Sequence, residues 1–338
     1  KLFSNWYTGV HGYVSVVVCV FGIFSNILNV IVLTQKHMIS STNYILIALA
    51  VADLLKMMSY LPYAMYFYII TAPSDAASHP KGWIIFILWH NAFVITCHTI
   101  AMWLTVALAV FRYIVVCHHT QGPRLCNLYR AKITIGSIIV ATLFFCIPQY
   151  MLQEIIPSGD GYWFKISAIA EANNGLLQGI SFWVYGVSIK IAPCIVLTLL
   201  SALLIRAMYI ANEKRARLKS QGKRAESERT HEHNRTTAML VAVVLCFVIT
   251  ELPQGILILI SGILGKWFFE DVYSALGDFM DGIVLINSAV NFILYCGMSK
   301  QFRDTFKSVF LQSCIPPHNS KQNGLVHYST INTESTRV

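Results

Sequence analysis

An all-α membrane protein, a seven-transmembrane-helix bundle followed by a short amphipathic helix on the cytoplasmic face, is the fold this sequence predicts. Three observations carry the expectation. Hydrophobic residues make up 56% of the 338 and charged ones 12%, with a mean hydropathy of +0.58; a soluble domain of that composition could not cover itself with a polar surface. The run from Trp83 to Cys117 holds no charged side chain before Arg112, so it exceeds the roughly 20 apolar residues that a spanning helix needs. The bases are also unevenly placed. Arg206, Lys214, Arg215, Arg217, Lys219, Lys223, Arg224, Arg229 and Arg235 crowd one connection, and Arg124, Arg130 and Lys132 another, which marks both as cytoplasmic.

The opposite connections carry Asp75, Glu154, Asp160, Glu171, Glu270 and Asp271 against few bases. The amino terminus is therefore expected outside, in a multi-pass protein of the plasma membrane. The net charge of +9 speaks to this topology and gives no reason to expect nucleic acid. No cleavable signal precedes the first helix, which either acts as its own insertion signal or follows a processed start. Cys19, Cys97, Cys117, Cys126, Cys146, Cys194, Cys246, Cys296 and Cys314 all fall in spans or on the basic side. That argues against an extracellular disulfide framework, and no Cys-x-x-Cys pair offers a metal site. No cofactor is expected.

Taken in order, an extracellular segment over residues 1–11 precedes a seven-span body over 12–298. The first span, Gly12 to Thr34, holds Asn26, an interhelical hydrogen bonder or part of a motif. The second, Thr42 to Ile70, holds Asp53, and a carboxylate near mid-bilayer costs ~2.5 to 3.5 kcal/mol on insertion scales. It must face protein, water or an ion. Pro62 should kink the outer half of that helix. The third span, Trp83 to Cys117, ends in Arg112-Tyr113, where the guanidinium either snorkels to the interface or serves as a switch.

The fourth span, Ala131 to Met151, ends near Pro148. In the loop from Leu152 to Ile180, Tyr162-Trp163-Phe164 reads either as an aromatic lid over a pocket or as interfacial anchors. The fifth span, Phe182 to Met208, carries Lys190 near its outer end and Pro193. The sixth, Thr236 to Leu264, places Glu251 two residues before Pro253. A membrane-buried glutamate is costly and must be paired, protonated or engaged by a ligand; His98, Asn287 and Ser288 are candidate neighbours by helical depth. After the seventh span, Val272 to Met298, residues 299–311 alternate aromatics and bases at helical spacing, as a helix lying on inner-leaflet lipid would. Cys314 is either a palmitoylation site or a simple thiol. Residues 312–338 read as a polar, disordered tail whose Thr336-Arg-Val338 is a candidate for capture by a PDZ protein.

Several of these stretches resemble the rhodopsin-like (class A) G-protein-coupled receptors. Gly22 with Asn26, the run Thr42 to Leu55 around Asp53, Leu108-Ala-Val-Phe-Arg-Tyr113, Phe247-Val-Ile-Thr-Glu-Leu-Pro253 and Asn291-Phe-Ile-Leu-Tyr295 follow the family's motifs in order. Phe111 stands where an acid is usual, Glu251 where tryptophan is usual and Phe292 where proline is usual. Ile87 and the Cys-free loop lack the family's common disulfide. Thr250-Glu-Leu-Pro-Gln-Gly255, with Trp6-Tyr7 and His11-Gly-Tyr13, is similar to the invertebrate FMRFamide-like and myosuppressin neuropeptide receptors.

The resemblance implies a cell-surface receptor, not an enzyme, activated by a short amidated neuropeptide and signalling through a heterotrimeric G protein of inhibitory type. The competing class is a seven-span transporter or channel, which should show an internal repeat; none is visible. Val94 and Leu285 stand where amine receptors carry Asp and opsins their lysine, so amines and retinal are disfavoured. Tyr63, Tyr66, Trp89, His90, His98, Glu251, Gln254, Asp278 and Asp281 would line the ligand site, unless the two aspartates merely face water. Arg112, Tyr113, Asn291 and Tyr295 would form the coupling switch. Asp53, Asn287 and Ser288 resemble a sodium pocket, although Ala101 stands where a polar ligand is usual.

Overall fold

The computed structural model describes residues 2–71, 79–118, 121–221 and 224–310. Its main helices are α1 (Leu2–Leu33), α2 (Ser41–Ala64, continued by a π turn over Met65–Ile70), α3 (Lys81–Cys117) and α4 (Leu128–Met151). A hairpin of β1 (Gln153–Ser158) and β2 (Gly161–Ile166) follows. Then come α5 (Ala168–Trp183, a π stretch Val184–Ile191, and Ala192–Ser220), α6 (Arg224–Leu264), α7 (Ser274–Met298) and α8 (Lys300–Phe310). Seven of these are long and apolar enough to cross a membrane. The protein is a multi-pass helical bundle, as its composition required.

Local chemistry sets the helix starts. The Ser40, Asn127 and Ser167 side chains accept hydrogen bonds from the backbone N–H groups of Asn43, Arg130 and Ala170, capping α2, α4 and α5. Helix ends depart from the expected spans at four places, one of them the end of α5, which runs on to Ser220 rather than Met208. The first helix begins at Leu2 rather than Gly12, α5 begins at Ala168 rather than Phe182, and α6 begins at Arg224 rather than Thr236. Neither Gly nor Pro lies between Arg224 and Thr236, so the helix extends beyond the apolar pattern. The apolar pattern marks what the membrane needs, not where hydrogen bonding ends.

Packing is inverted relative to a soluble protein. Phe24, Val140, Phe144, Ile249 and Ile263 are exposed, whereas Asn26, Asp53, Lys56, Lys190, Glu251 and Asn287 are buried. One apolar core, including Leu49, Leu104, Leu108, Val243, Phe247 and Tyr295, fills the half nearer the basic connections. A smaller one around Met57, Tyr60 and Leu285 lies toward the other end. Phe292 packs its ring against Phe302 and Phe306 of α8, at 5.9 and 5.8 Å between centroids. The residue that replaces proline thus docks the amphipathic helix. Arg303 donates to the carbonyls of Cys296 and Gly297 at the end of α7, where the helix leaves acceptors unsatisfied.

Gly12 allows α1 to lie against the π turn of α2, because a Cβ there would stand 2.5 Å from Tyr68 Cβ. Gly12→Val should therefore lower thermal stability by about 1–3 kcal/mol, read as a drop in the melting temperature of the purified protein. A variant melting with the wild type would show that the two helices separate freely there.

The loop after α4 folds as a hairpin. Tyr162, Trp163 and Phe164 lie in β2 of an antiparallel hairpin. A two-residue turn at Gly159 and Asp160 closes it, Gly159 taking the positive φ of 54° that such turns demand. No cystine pins the hairpin; all cysteines among the described residues are free. Backbone bonds exchanged between His79 and Tyr162, at 3.3 and 3.0 Å, tether it beside the start of α3, and Trp163 stacks on the His79 ring. Lys165 and Glu154 pair across the strands at 3.1 Å.

Candidate functional site

A cavity of about 520 Å³ opens among α2, α3, α5, α6 and α7 on the side that carries the hairpin. Six of the nine expected ligand residues line it: Tyr63, His90, His98, Gln254, Asp278 and Asp281. Glu251 lies just beneath, fully buried. Two expectations fail. Trp89 is 64% exposed and packs on Tyr150, away from the cavity; it precedes His90 by one residue, so a turn of ~100° points it off the helix face that looks inward. Tyr66 stacks on Trp83 at 3.8 Å and approaches His79, so it supports the root of the hairpin. Tyr60, Tyr185 and Tyr273, not foreseen, complete the aromatic wall.

An aromatic belt orders the wall nearest α1. His90 stacks on Tyr63 at 4.5 Å and bonds Ser59 through Nδ1 at 2.7 Å. His11 meets the Tyr60 hydroxyl at 3.0 Å. The amino-terminal end of α1 is therefore part of the site's frame. Asp278 accepts hydrogen bonds from Thr8 at 2.9 Å and Tyr68 at 2.8 Å; it does not merely face water. Asp281, one turn further along α7, has its carboxylate open to the cavity and makes no hydrogen bond or ion pair among the described residues. Freeing Asp278 by Tyr68→Phe should cost about 1 kcal/mol of stability, measurable by thermal unfolding; no loss would mean that water replaces the phenol.

Beneath the cavity lies a polar cluster that the π stretch of α5 aims inward. Pro193 has no N–H and crowds the preceding turn, and Ala192 bonds back five residues to Val187. Within the widened turn, Lys190 donates to Glu251 Oε2 at 2.6 Å, Gln254 Oε1 at 2.8 Å and His98 Nε2 at 3.1 Å. An ammonium has three protons and here meets three acceptors. His98 Nε2 thus lies between the Lys190 ammonium and Glu251 Oε2, its role set by the tautomer, and His98 Nδ1, like Glu251 Oε1, has no hydrogen-bond partner among the described groups. His98 was an expected neighbour of Glu251 and is one, at 3.1 Å. Asn287 and Ser288 are not among its hydrogen-bond partners; its shortest contact is with Lys190.

A second buried pair sits deeper. Asp53 stands 3.7 Å from Lys56, both essentially without exposure. Asn291 donates to Asp53 Oδ2 at 3.2 Å, and the Lys56 ammonium donates to Ser288 Oγ. Asp53 and Ser288 of the expected sodium cluster thus meet around Lys56, whereas Asn287 is buried with its amide nitrogen unpartnered among the described groups. These residues do not fit a sodium ion. A second unit charge about 4 Å from the ammonium would be repelled by roughly 4 kcal/mol at an effective dielectric of ~20, and Lys56 already engages the Ser288 hydroxyl.

Arg112 and Tyr295 are buried, Tyr295 against Phe302 at 5.6 Å. Asn291 belongs to the Asp53 cluster, and Tyr113 pairs its ring with His118. Phe111 joins the apolar core, and its carbonyl accepts from the Cys126 thiol at 3.6 Å. Cys314, Asp75 and Thr336-Arg-Val338 lie outside the described residues.

A seven-span helical bundle with one end hollowed into a polar cavity above two buried ion pairs is the architecture of a membrane receptor. The chain belongs to the family described as serpentine type 7TM GPCR chemoreceptor Srw, whose match covers residues 13–313. It is therefore a G-protein-coupled receptor. It is 30% identical to the G-protein coupled receptor dmsr-1 of Caenorhabditis elegans, over 91% of this chain and 69% of the relative. The Sex peptide receptor of Drosophila melanogaster is 27% identical, over 96% and 77%. The FMRFamide receptor of the same fly is 26% identical, over 93% and 55%.

Proposed function

We propose that the chain is a class A receptor of the plasma membrane, amino terminus outside, activated by short amidated peptides of the FMRFamide-like or myosuppressin-like class. The observation that carries this reading is the charge balance of the cavity. Lys56 and Lys190 reach it from below, but each is matched by its own carboxylate, Asp53 and Glu251. Asp278 and Asp281 are left over, and Asp281 has no protein partner among the described residues. A net acidic, aromatic-lined site suits a ligand that presents a guanidinium and a phenyl ring and has no terminal carboxylate. An Arg-Phe-amide ending has those properties. The names of two relatives, a Sex peptide receptor and an FMRFamide receptor, are consistent with a peptide ligand.

Binding at that end would be read out at the other, where the basic connections meet a heterotrimeric G protein of inhibitory type. Residues 1–11 would form part of the extracellular frame, residues 12–298 the receptor body and residues 299–311 a helix resting on inner-leaflet lipid. The tail would supply Cys314 for lipidation and Val338 for a PDZ protein. Family membership disfavours a transporter or channel. Competition binding with amidated and free-acid forms of one Arg-Phe peptide tests the ligand class: the amide should bind far more tightly, and equal binding would contradict the reading of the cavity's sign. Arg112→Ala should leave that binding intact and abolish nucleotide exchange. Unchanged exchange would remove Arg112 from the switch.

A further inference from the structure

We propose that Lys56 is a tethered cation, permanently occupying through its own side chain a site that would otherwise take a small monovalent ion. The observations are geometric. Asp53 and Lys56 lie three residues apart on one face of α2. Both are buried, and Lys56 reaches α7 by donating to the Ser288 hydroxyl, while Asn291, also on α7, donates to the other oxygen of the same carboxylate. Asp53 Oδ1 has no hydrogen-bond partner; its neutralisation comes from the ammonium 3.7 Å away.

Two helices are therefore joined through one internal charge. The same lysine forms part of the floor of the cavity, so the cation sits between the ligand space and the core. Without its ammonium, the cluster would hold a buried carboxylate and a hydroxyl oxygen facing an empty volume, the oxygen-donor set that hard cations take. The inference concerns the resting protein and does not depend on the peptide reading.

The test is thermal unfolding of purified receptor, without ligand, in sodium, potassium and choline chloride at equal ionic strength. Wild type should melt at one temperature in all three. Lys56→Ala removes the charge and vacates the position; it should melt lower in choline, with sodium recovering part of the drop. Asp53→Asn with Lys56→Ala should again ignore the ion. Sodium stabilisation of the wild type over choline, or no ion preference in Lys56→Ala, would overturn the proposal. Should Lys56→Ala not fold, Asp53→Asn alone and with Lys56→Met, which keeps the volume, decide: the double variant should recover most of the stability lost in the single one. An Asp53→Asn protein as stable as wild type would refute the pairing.

Discussion

Asp281→Asn is expected to raise the concentration of an Arg-Phe-amide peptide needed for half-maximal response by ~30-fold or more. The estimate follows from removing one partner of a desolvated charge pair, which costs about 2 kcal/mol or more. Asp281 is the cavity carboxylate that makes no hydrogen bond or ion pair among the described residues, so it is the one free to take the peptide's guanidinium. Asp278 already accepts from Thr8 and Tyr68, so its loss should weaken binding less and stability more. Exposed Asp271 should matter little. The chemistry is checked by repeating the titration with citrulline in place of the peptide's arginine. Its response should hardly depend on Asp281, and an equal loss for both peptides would break the charge pairing.

The second large effect lies under the cavity. Lys190→Ala should destabilise the receptor by about 3–5 kcal/mol, because it leaves a fully buried Glu251 without its cation. Glu251→Ala should be comparably severe, since the ammonium would keep only neutral acceptors, Gln254 and His98. Lys190→Met with Glu251→Leu should regain most of the loss, since apolar residues of similar volume replace buried pairs at little cost. Thermal unfolding of the four proteins closes the cycle. Additive losses in the double variant would show that the two residues act separately and that the 2.6 Å contact is incidental.

Much of this was legible in the sequence, and the reasons differ by residue. The seven spans follow from hydropathy because lipid leaves the backbone few alternatives to helix. Glu251 stood out because a carboxylate in an apolar run is too costly to be incidental, and its contact with His98 could be placed by depth. Depth alone was insufficient for Trp89, whose angle around α3 turns it outward, and for Ser288, which Lys56 holds instead.

Lys56 is readable by the argument that singles out Asp53, since a cation three residues away lies on the same helical face and can neutralise a buried carboxylate. The hairpin was harder. Its tether is a backbone exchange between His79 and Tyr162, which depends on tertiary placement and leaves no side-chain signature. The overlong ends of α1, α5 and α6 went unread because hydropathy reports lipid contact, and helices continue into water wherever nothing stops them.

Nucleotide exchange on a purified heterotrimeric G protein, with receptor in lipid vesicles and amidated Arg-Phe peptides added from the cavity side, tests the central claim most directly. An accelerated exchange that needs the amide, is lost in Arg112→Ala and is shifted to higher concentration by Asp281→Asn is the result predicted. Exchange driven equally by free-acid peptides, or by amidated peptides whose potency ignores Asp281, would contradict it.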